Sequence, residues 1–336
     1  MNLQRRALIV GIDHYQQANM DLQAAVADAC TMEVMLASHQ DGSANYDCLL
    51  WADQTDRGER ITRAALRRAL RQLFGEFRGE VLLYFSGYGT IHDTGGWLVT
   101  YDGTPDDLGI SLAEVFGLAM RSLANSILLI LDCRSTGSLE SLELPSGPRE
   151  SRETISLREN MTVIAASTST ESFEGSTGGH SLFTAAILSA LEGGAADPMG
   201  WVTAASIYTY VERRFGGWNQ QPVYKSNATR VSMVRQCAPL IERLKLARLV
   251  ELFPSSDFRY QLDPEFEPED EHGNVHEPVN KEKVSLALLL KEYRDAGLLK
   301  PSVPGEQLYW TSRRYHTVEL TPRGKEYWWL VKSRKL

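Results

Sequence analysis

Five short apolar runs, separated by stretches of helical period, constrain this chain more than any other feature. The runs are RALIVGI (6–12), DCLLWAD (47–53), EVLLYFSG (80–87), SILLILDC (126–133) and TVIAAS (162–167). Each is apolar on consecutive positions rather than on alternate ones. Such a strand must be covered on both faces, as in a parallel sheet between two layers of helices. The intervening segments supply those layers. Residues 20–39 place Leu22, Val26, Ala29, Met32 and Leu36 on one stripe. Residues 59–77 do the same with Ile61, Ala65, Leu66, Ala69 and Leu73, with arginines on the other side. Two later helices are expected over 181–194, stopped by glycines, and over 202–215. Repeated strand–helix alternation predicts a three-layer α/β/α sandwich with a mostly parallel sheet over residues 1–236.

Composition changes after residue 236, which predicts a second, small α+β domain over 237–336. Residues 238–253 read as helix. Residues 263–278 hold seven acids, three prolines and no lysine or arginine, which suits an exposed loop or linker interrupting the domain. Residues 281–299 form an amphipathic helix ending near Gly297. Residues 307–321 read as a two-stranded hairpin, and 322–336 as an aromatic, basic helix opened by Pro322. There is no internal repeat. The formal charge of −8 divides into −7 for residues 1–262, −7 for 263–278 and +6 for 279–336.

The same sequence excludes several classes. Four cysteines in 336 residues, none in a CxxC pair, make neither a disulfide framework nor a cysteine zinc site. No apolar run reaches the roughly 18 residues of a membrane span, and the one near the N-terminus is too short for a signal peptide. A cytoplasmic protein without a membrane partner is expected, and no cofactor motif is present.

Sites in open α/β sheets lie beyond the carboxyl ends of the strands. Two of those ends are rich in glycine and polar residues: Ser86-Gly87-Tyr88-Gly89, and Asp132-Cys133-Arg134-Ser135-Thr136-Gly137-Ser138. With ALIVGIDHY, LQAAVADA, LLYFSGYGT, ILLILDCRSTGS, VIAASTSTESFEG followed by GHSLFTAAILSAL, and NQQPVYKSNATRVSMV, residues 5–236 resemble the caspase and metacaspase superfamily of cysteine peptidases. The resemblance implies a caspase-like fold and a histidine–cysteine dyad. Tyr88 stands at the histidine position and Arg134 at the cysteine position. A phenol of pKa near 10 is a poor base at neutral pH, and a guanidinium is no nucleophile. The departure at both positions points to a pseudoenzyme.

The resemblance also implies an acidic pocket for basic substrate residues, matched by Asp28 and Asp132. The plain alternative makes Asp132 a loop cap and Asp28 a solvated helix residue. If both acids face the pocket, Arg134 is expected to reach in and pair with them. Cys133 and Ser135 flank the nucleophile position and are the alternative nucleophiles; the plain reading of Cys133 is a small buried residue. His14, His92 and His180 are candidate bases, with plain readings as cap or loop partners for His14 and His180 and as a solvated loop residue for His92. Asp102, Asp106 and Asp107 read as turn chemistry rather than a calcium loop. The polar stretch 143–160, with Arg149, Arg152 and Arg158, lies where family members are cut.

Residues 240–336 resemble a winged helix–turn–helix domain. Arg313 and Arg314 are its wing candidates, and Lys332, Arg334 and Lys335 a basic tail. Trp310, Trp328 and Trp329 read first as its core, then as a protein-docking face; DNA contact is a third reading. The sequence thus predicts an adaptor, sensor or regulator, with bacterial defence or regulated cell death as the context the resemblance implies. The expected partner is an active caspase-like protease, an ATPase or a second copy pairing through the last strand near 223–234. The alternatives are an endopeptidase using Cys133 or Ser135 to cut after basic residues, and a DNA-binding regulator.

Overall fold

A computed structural model describes residues 5–17, 21–53, 60–92, 95–135, 157–166, 179–215, 222–269, 275 and 279–336. The chain forms two compact units, one of residues 1–196 with 201–237, the other of 197–200 with 238–336. Among the described residues no helix is long and apolar enough to cross a membrane.

The first unit begins β1 (Arg5–Gly11), α1 (Ala25–Ala37), β2 (Asp47–Ala52), α2 (Arg63–Leu73) and β3 (Glu80–His92). A hairpin of β4 (Gly95–Thr104) and β5 (Asp107–Ser111) leads to α3 (Leu112–Arg121). Then come β6 (Ser126–Ser135), β7 (Met161–Ala165), α4 (Leu182–Ser189), β8 (Trp201–Thr203), α5 (Ala204–Phe215), β9 (Val223–Asn227) and β10 (Met233–Gln236). The main sheet runs β2-β1-β3-β6-β7-β9. All neighbours are parallel except β9, which is antiparallel to β7 at the edge. This is the mixed α/β fold with a mostly parallel sheet that the apolar runs predict.

Alternation along each strand builds two cores. Leu83, Phe85, Leu129 and Leu131 face Leu66, Leu70, Val115 and Phe116 of α2 and α3. Leu82, Tyr84, Leu128 and Ile130 face Met32, Ile187, Ile207 and Val211 of α1, α4 and α5. Hydroxyl caps start several helices: Thr62 accepts from the Ala65 amide, Ser111 from Glu114, Ser181 from Thr184 and Thr203 from Ser206. α1 is capped from a distance, its Ala25 and Val26 amides donating to Asp13 at 2.8 and 3.2 Å.

The segment expected as one strand region near 223–234 divides. β9 lies at the edge of the main sheet, whereas β10 pairs with β8 in a separate two-stranded sheet. The hairpin β4–β5, unforeseen, grows from the end of β3, which continues well past Gly87.

The second unit holds α6 (Arg243–Ala247), α7 (Leu249–Leu252), β11 (Arg259–Gln261), α8 (Lys281–Asp295), β12 (Leu299–Pro301), α9 (Leu308–Arg313), β13 (Thr317–Leu320) and α10 (Pro322–Lys332). Its sheet is β11-β13-β12, antiparallel throughout. The expected hairpin at 307–321 is instead α9 followed by β13. Thr311 and Ser312 hydroxyls bond back to the Gln307 and Leu308 carbonyls within the turn of helix. The acidic segment is not wholly a linker either. Asp263 caps a 3-10 turn at Pro264–Phe266, Phe266 is buried in the core, and Lys283 bonds to Asp263 at 2.5 Å. Of the three tryptophans only Trp328 is core; its indole donates to the Phe253 carbonyl at 2.6 Å, while Trp310 and Trp329 are exposed.

Candidate functional site

The two positions that the resemblance assigns to a dyad, Tyr88 and Arg134, meet in the sheet. β3 and β6 are parallel neighbours in a register that aligns Ser86 with Asp132, Gly87 with Cys133, Tyr88 with Arg134 and Gly89 with Ser135. Residues 46 apart in sequence are therefore adjacent rungs at the carboxyl end. Gly89 is required there: a Cβ would sit 2.7 Å from Cβ of Cys133. Tyr88 is half-buried and meets Tyr15 edge to face at 5.2 Å. Its amide donates to the Tyr15 hydroxyl at 2.8 Å, which in turn donates to the Ile12 carbonyl at 3.1 Å. Burial holds the Tyr15 phenol well above its ordinary range, so it stays neutral. The Arg134 and Ser135 side chains, and with them the expectation that Arg134 fills the acidic pocket, lie outside the described residues.

The two acids are brought together, and neither is solvated. Asp28, on α1, has no exposed surface. It takes His180 Nδ1 at 2.8 Å, the Ser181 amide at 3.2 Å and the Ser86 hydroxyl at 3.3 Å. Asp132 is buried and accepts from the Thr184 hydroxyl at 2.6 Å and from the Ser181 hydroxyl. Thr184 also shares a 2.6 Å hydrogen bond with the Tyr84 phenol. Ser181 is thus the bridge, amide to Asp28 and hydroxyl to Asp132, while capping α4. Burial, then the neighbouring Asp132, pushes Asp28 up to about 7; the His180 hydrogen bond pulls the other way. Burial likewise raises Asp132, against hydrogen bonds from Ser181 and Thr184. The acids form a closed polar lock between β3, β6, α1 and the start of α4.

This fold, with glycine-flanked strand ends in register, coincides with one family. Residues 4–234 match the family model of the caspase domain, Peptidase C14. The chain belongs to the caspase domain family. Among solved structures, that of pro-sf-caspase-1 aligns at 11% identity over 70% of this chain and 92% of its own, with a TM-score of 0.48. No curated protein sequence matches the chain.

Within this caspase domain the remaining candidates are placed as follows. Cys133 is buried on the α2/α3 side, and burial, then Asp132, raises its thiol far above the ordinary range. Burial and a raised thiol suit a packing group, the plain reading of Cys133. His14 donates its amide to Asp53 at 3.1 Å and its ring lies 3.6 Å from Asp21. His92 is not in a loop but ends β3, paired with Gly95. Asp102 accepts from the Arg63 amide and the Thr100 hydroxyl, both at 2.8 Å, holding the start of α2, and Asp107 pairs with Arg63. Arg149 and Arg152 lie outside the described residues. Arg158 is clamped, donating to the Ser122 and Ala124 carbonyls at 2.6 and 2.8 Å.

In the second unit, Arg314 pairs with Glu306 at 3.0 Å over the Trp310 ring. It ends α9 rather than sitting on a wing hairpin, and Arg313 is the last residue of that helix. Lys332 and Lys335 sit over Trp328 and Trp329, and Arg334 follows in the left-handed region at φ 55°. His180 is a hydrogen-bond partner of Asp28, as its plain reading expects. Ser86, Ser181 and Thr184 were missed; their one signal is hydroxyls on otherwise apolar elements.

Proposed function

We propose that this caspase domain is a pseudo-peptidase and that the chain acts as an adaptor, sensor or regulator. The observation that carries the reading is the side-by-side register of Tyr88 and Arg134 at the dyad positions. A phenol and a guanidinium there supply neither base nor nucleophile. Cys133 cannot stand in, because it is buried, protonated and a step away in the ladder. His180 is tied through Nδ1 to Asp28. Bacterial defence or regulated cell death, with an active caspase-like protease, an ATPase or a second copy as partner, belongs to the same proposal. The test is incubation of the full-length protein with fluorogenic peptides ending in arginine, lysine or aspartate, with and without calcium. No turnover above a heat-denatured control is expected. Nicking within 143–160 that Cys133→Ala or Ser135→Ala abolishes would overturn the reading.

The second unit is read as a winged-helix module used for protein docking. Support comes from α8 followed by the antiparallel pair β12–β13 and by α10 opening at Pro322. Several of its cations are engaged: Lys245 with Glu292, Lys283 with Asp263, Arg259 and Lys300 with Glu319, Lys325 with Asp257, whereas Lys332 and Lys335 lie over the Trp328 and Trp329 rings. The paired cations would have to give up these partners to contact phosphate, and the docking reading expects no mobility shift of duplex DNA even at roughly 50 mM salt, where phosphate contacts are strongest. A shift weakened by Lys332→Ala or Lys335→Ala would restore the DNA reading.

A further inference from the structure

Residues 263–269, DPEFEPE, carry an acid at every second position and no lysine or arginine. They pack against α8 and α9, which lie in the stretch 279–336 whose formal charge is +6. The polar contacts match charge to charge. Lys283 of α8 bonds to Asp263 at 2.5 Å and to Glu265 at 3.0 Å. Asn280, the N-cap of α8, also donates to Glu265 at 3.0 Å. The Lys283 ammonium lies over the Phe266 ring, 5.6 Å from its centroid. Glu267 is half-buried; burial raises its carboxyl, while Lys291 of α8 and Arg313 of α9 pull it down. Cations on two helices thus face successive acids of one short segment.

Side chains seat this segment. Phe266 is buried at 3% exposure in the core of the second unit and meets Tyr260 edge to face at 6.2 Å. The backbone bonds are internal: the Glu265 amide donates to the Asp263 carboxylate, the Phe266 amide to the Asp263 carbonyl and the Glu267 amide to the Pro264 carbonyl. The segment is therefore held by one aromatic anchor and by ion pairs that are individually weak at a surface. β11, just before it, is tied instead by ladder pairing to β13. That division suits a removable occupant on a fixed frame. The anchor also selects among polyanions. A phosphate backbone meets the cations but has nothing to put where Phe266 sits, whereas an acidic peptide with one aromatic residue supplies both.

We propose that α8 and α9 form a seat for an acidic peptide with one aromatic anchor, that residues 263–269 fill it in the resting protein, and that a partner docks by putting its own such segment in their place. The seat rests on the docking reading of the second unit and adds the chemistry of the partner. It also makes docking conditional. The resident segment is tethered, so its effective concentration is on the order of millimolar, and a competitor must bind better or meet a loosened occupant.

The test is fluorescence anisotropy of a labelled peptide with the sequence of residues 260–269, YQLDPEFEPE, titrated with the full-length chain. The double variant Asp263→Asn with Glu265→Gln keeps the turn, because asparagine caps as well as aspartate, but loses both ion pairs to Lys283. It is expected to bind the peptide about tenfold more tightly than the parent, since its own segment competes less. Adding Lys283→Ala should remove the gain. The same peptide with alanine in place of its phenylalanine should bind at least about tenfold more weakly. Circular dichroism checks that each variant is folded. Equal affinity of the parent and the double variant for the peptide overturns the proposal. Undiminished binding of the alanine peptide does so too, as does duplex DNA that binds the double variant as tightly as the peptide, because the seat would then accept any polyanion. A shift of duplex DNA by the parent bears on the docking reading instead, so the two failures are told apart.

Discussion

Gly11→Ala is expected to lower the melting temperature of the caspase domain by about 10 °C, read by circular dichroism at 222 nm. Gly11 ends β1, and α1 crosses directly against it. A Cβ there would lie 2.4 Å from the Ala25 carbonyl oxygen and 2.6 Å from Ala29 Cβ. Both obstacles belong to α1 and one is backbone, so no rotamer relieves the clash and the helix must move outward. That movement strips the Asp13 carboxylate from the Ala25 and Val26 amides, a cap worth about 1 kcal/mol. It also disturbs Ala29, Met32 and Leu36 in the core, an overpacking cost of about 1–3 kcal/mol. A total of about 2–4 kcal/mol, at roughly 2–4 °C per kcal/mol for a domain of this size, brackets the expected shift. Gly42→Ala is the control. Gly42 has φ 82° but open space around it, so only backbone strain of about 1 kcal/mol applies. An unchanged melting temperature for Gly11→Ala would mean that α1 does not lie against β1.

That close approach was not readable from residue types, although the elements making it were. β1, β3, β6 and β7 were legible because strands covered on both faces are apolar throughout, and β2, an edge strand with Leu49 exposed, because its run is apolar all the same. β4 and β5 were not, because their glycines and Asp102 through Asp107 have the chemistry of turns, which part of that hairpin is. α9 was misread because Tyr309, Trp310 and Thr311 favour strands; packing around buried Thr311 and Ser312 overrides that preference. The family resemblance located Tyr88, Arg134, Asp28 and Asp132. It did not show that Asp28 and Asp132 are consumed by their own protein. That depends on Ser181 and Thr184, whose hydroxyls look unremarkable beside the phenylalanine and alanines of α4, and on a histidine 152 positions from its carboxylate.

The caspase domain is expected to lose stability as pH rises between about 4 and 7, and Asp28→Asn to abolish most of that loss. Asp28 holds its proton up to about 7 in the folded protein, against 3.8 ordinarily. Within that window the folded state binds the proton and the unfolded chain does not, so stability falls by at most about 1.4 kcal/mol per pH unit. The contribution is fully present below the unfolded value and fully lost above the folded one. The groups facing Asp28 set the size. Asp132 across Ser181 adds to the loss, because its own proton is also held more tightly when folded. His180 opposes it by hydrogen bonding to the carboxylate at 2.8 Å. In Asp28→Asn the amide oxygen still accepts from the Ser181 backbone, and no charge develops beside Asp132. The variant should therefore match the parent near pH 5 and gain on it by about 2–3 kcal/mol at pH 8, measured by urea unfolding at both values. The same pH slope in both proteins would mean that Asp28 ionises freely in the fold. A polar lock that favours the protonated carboxyl is poorly suited to be the anionic pocket that the family resemblance implies for a basic substrate residue, so the same titration that measures the lock also tests that expectation.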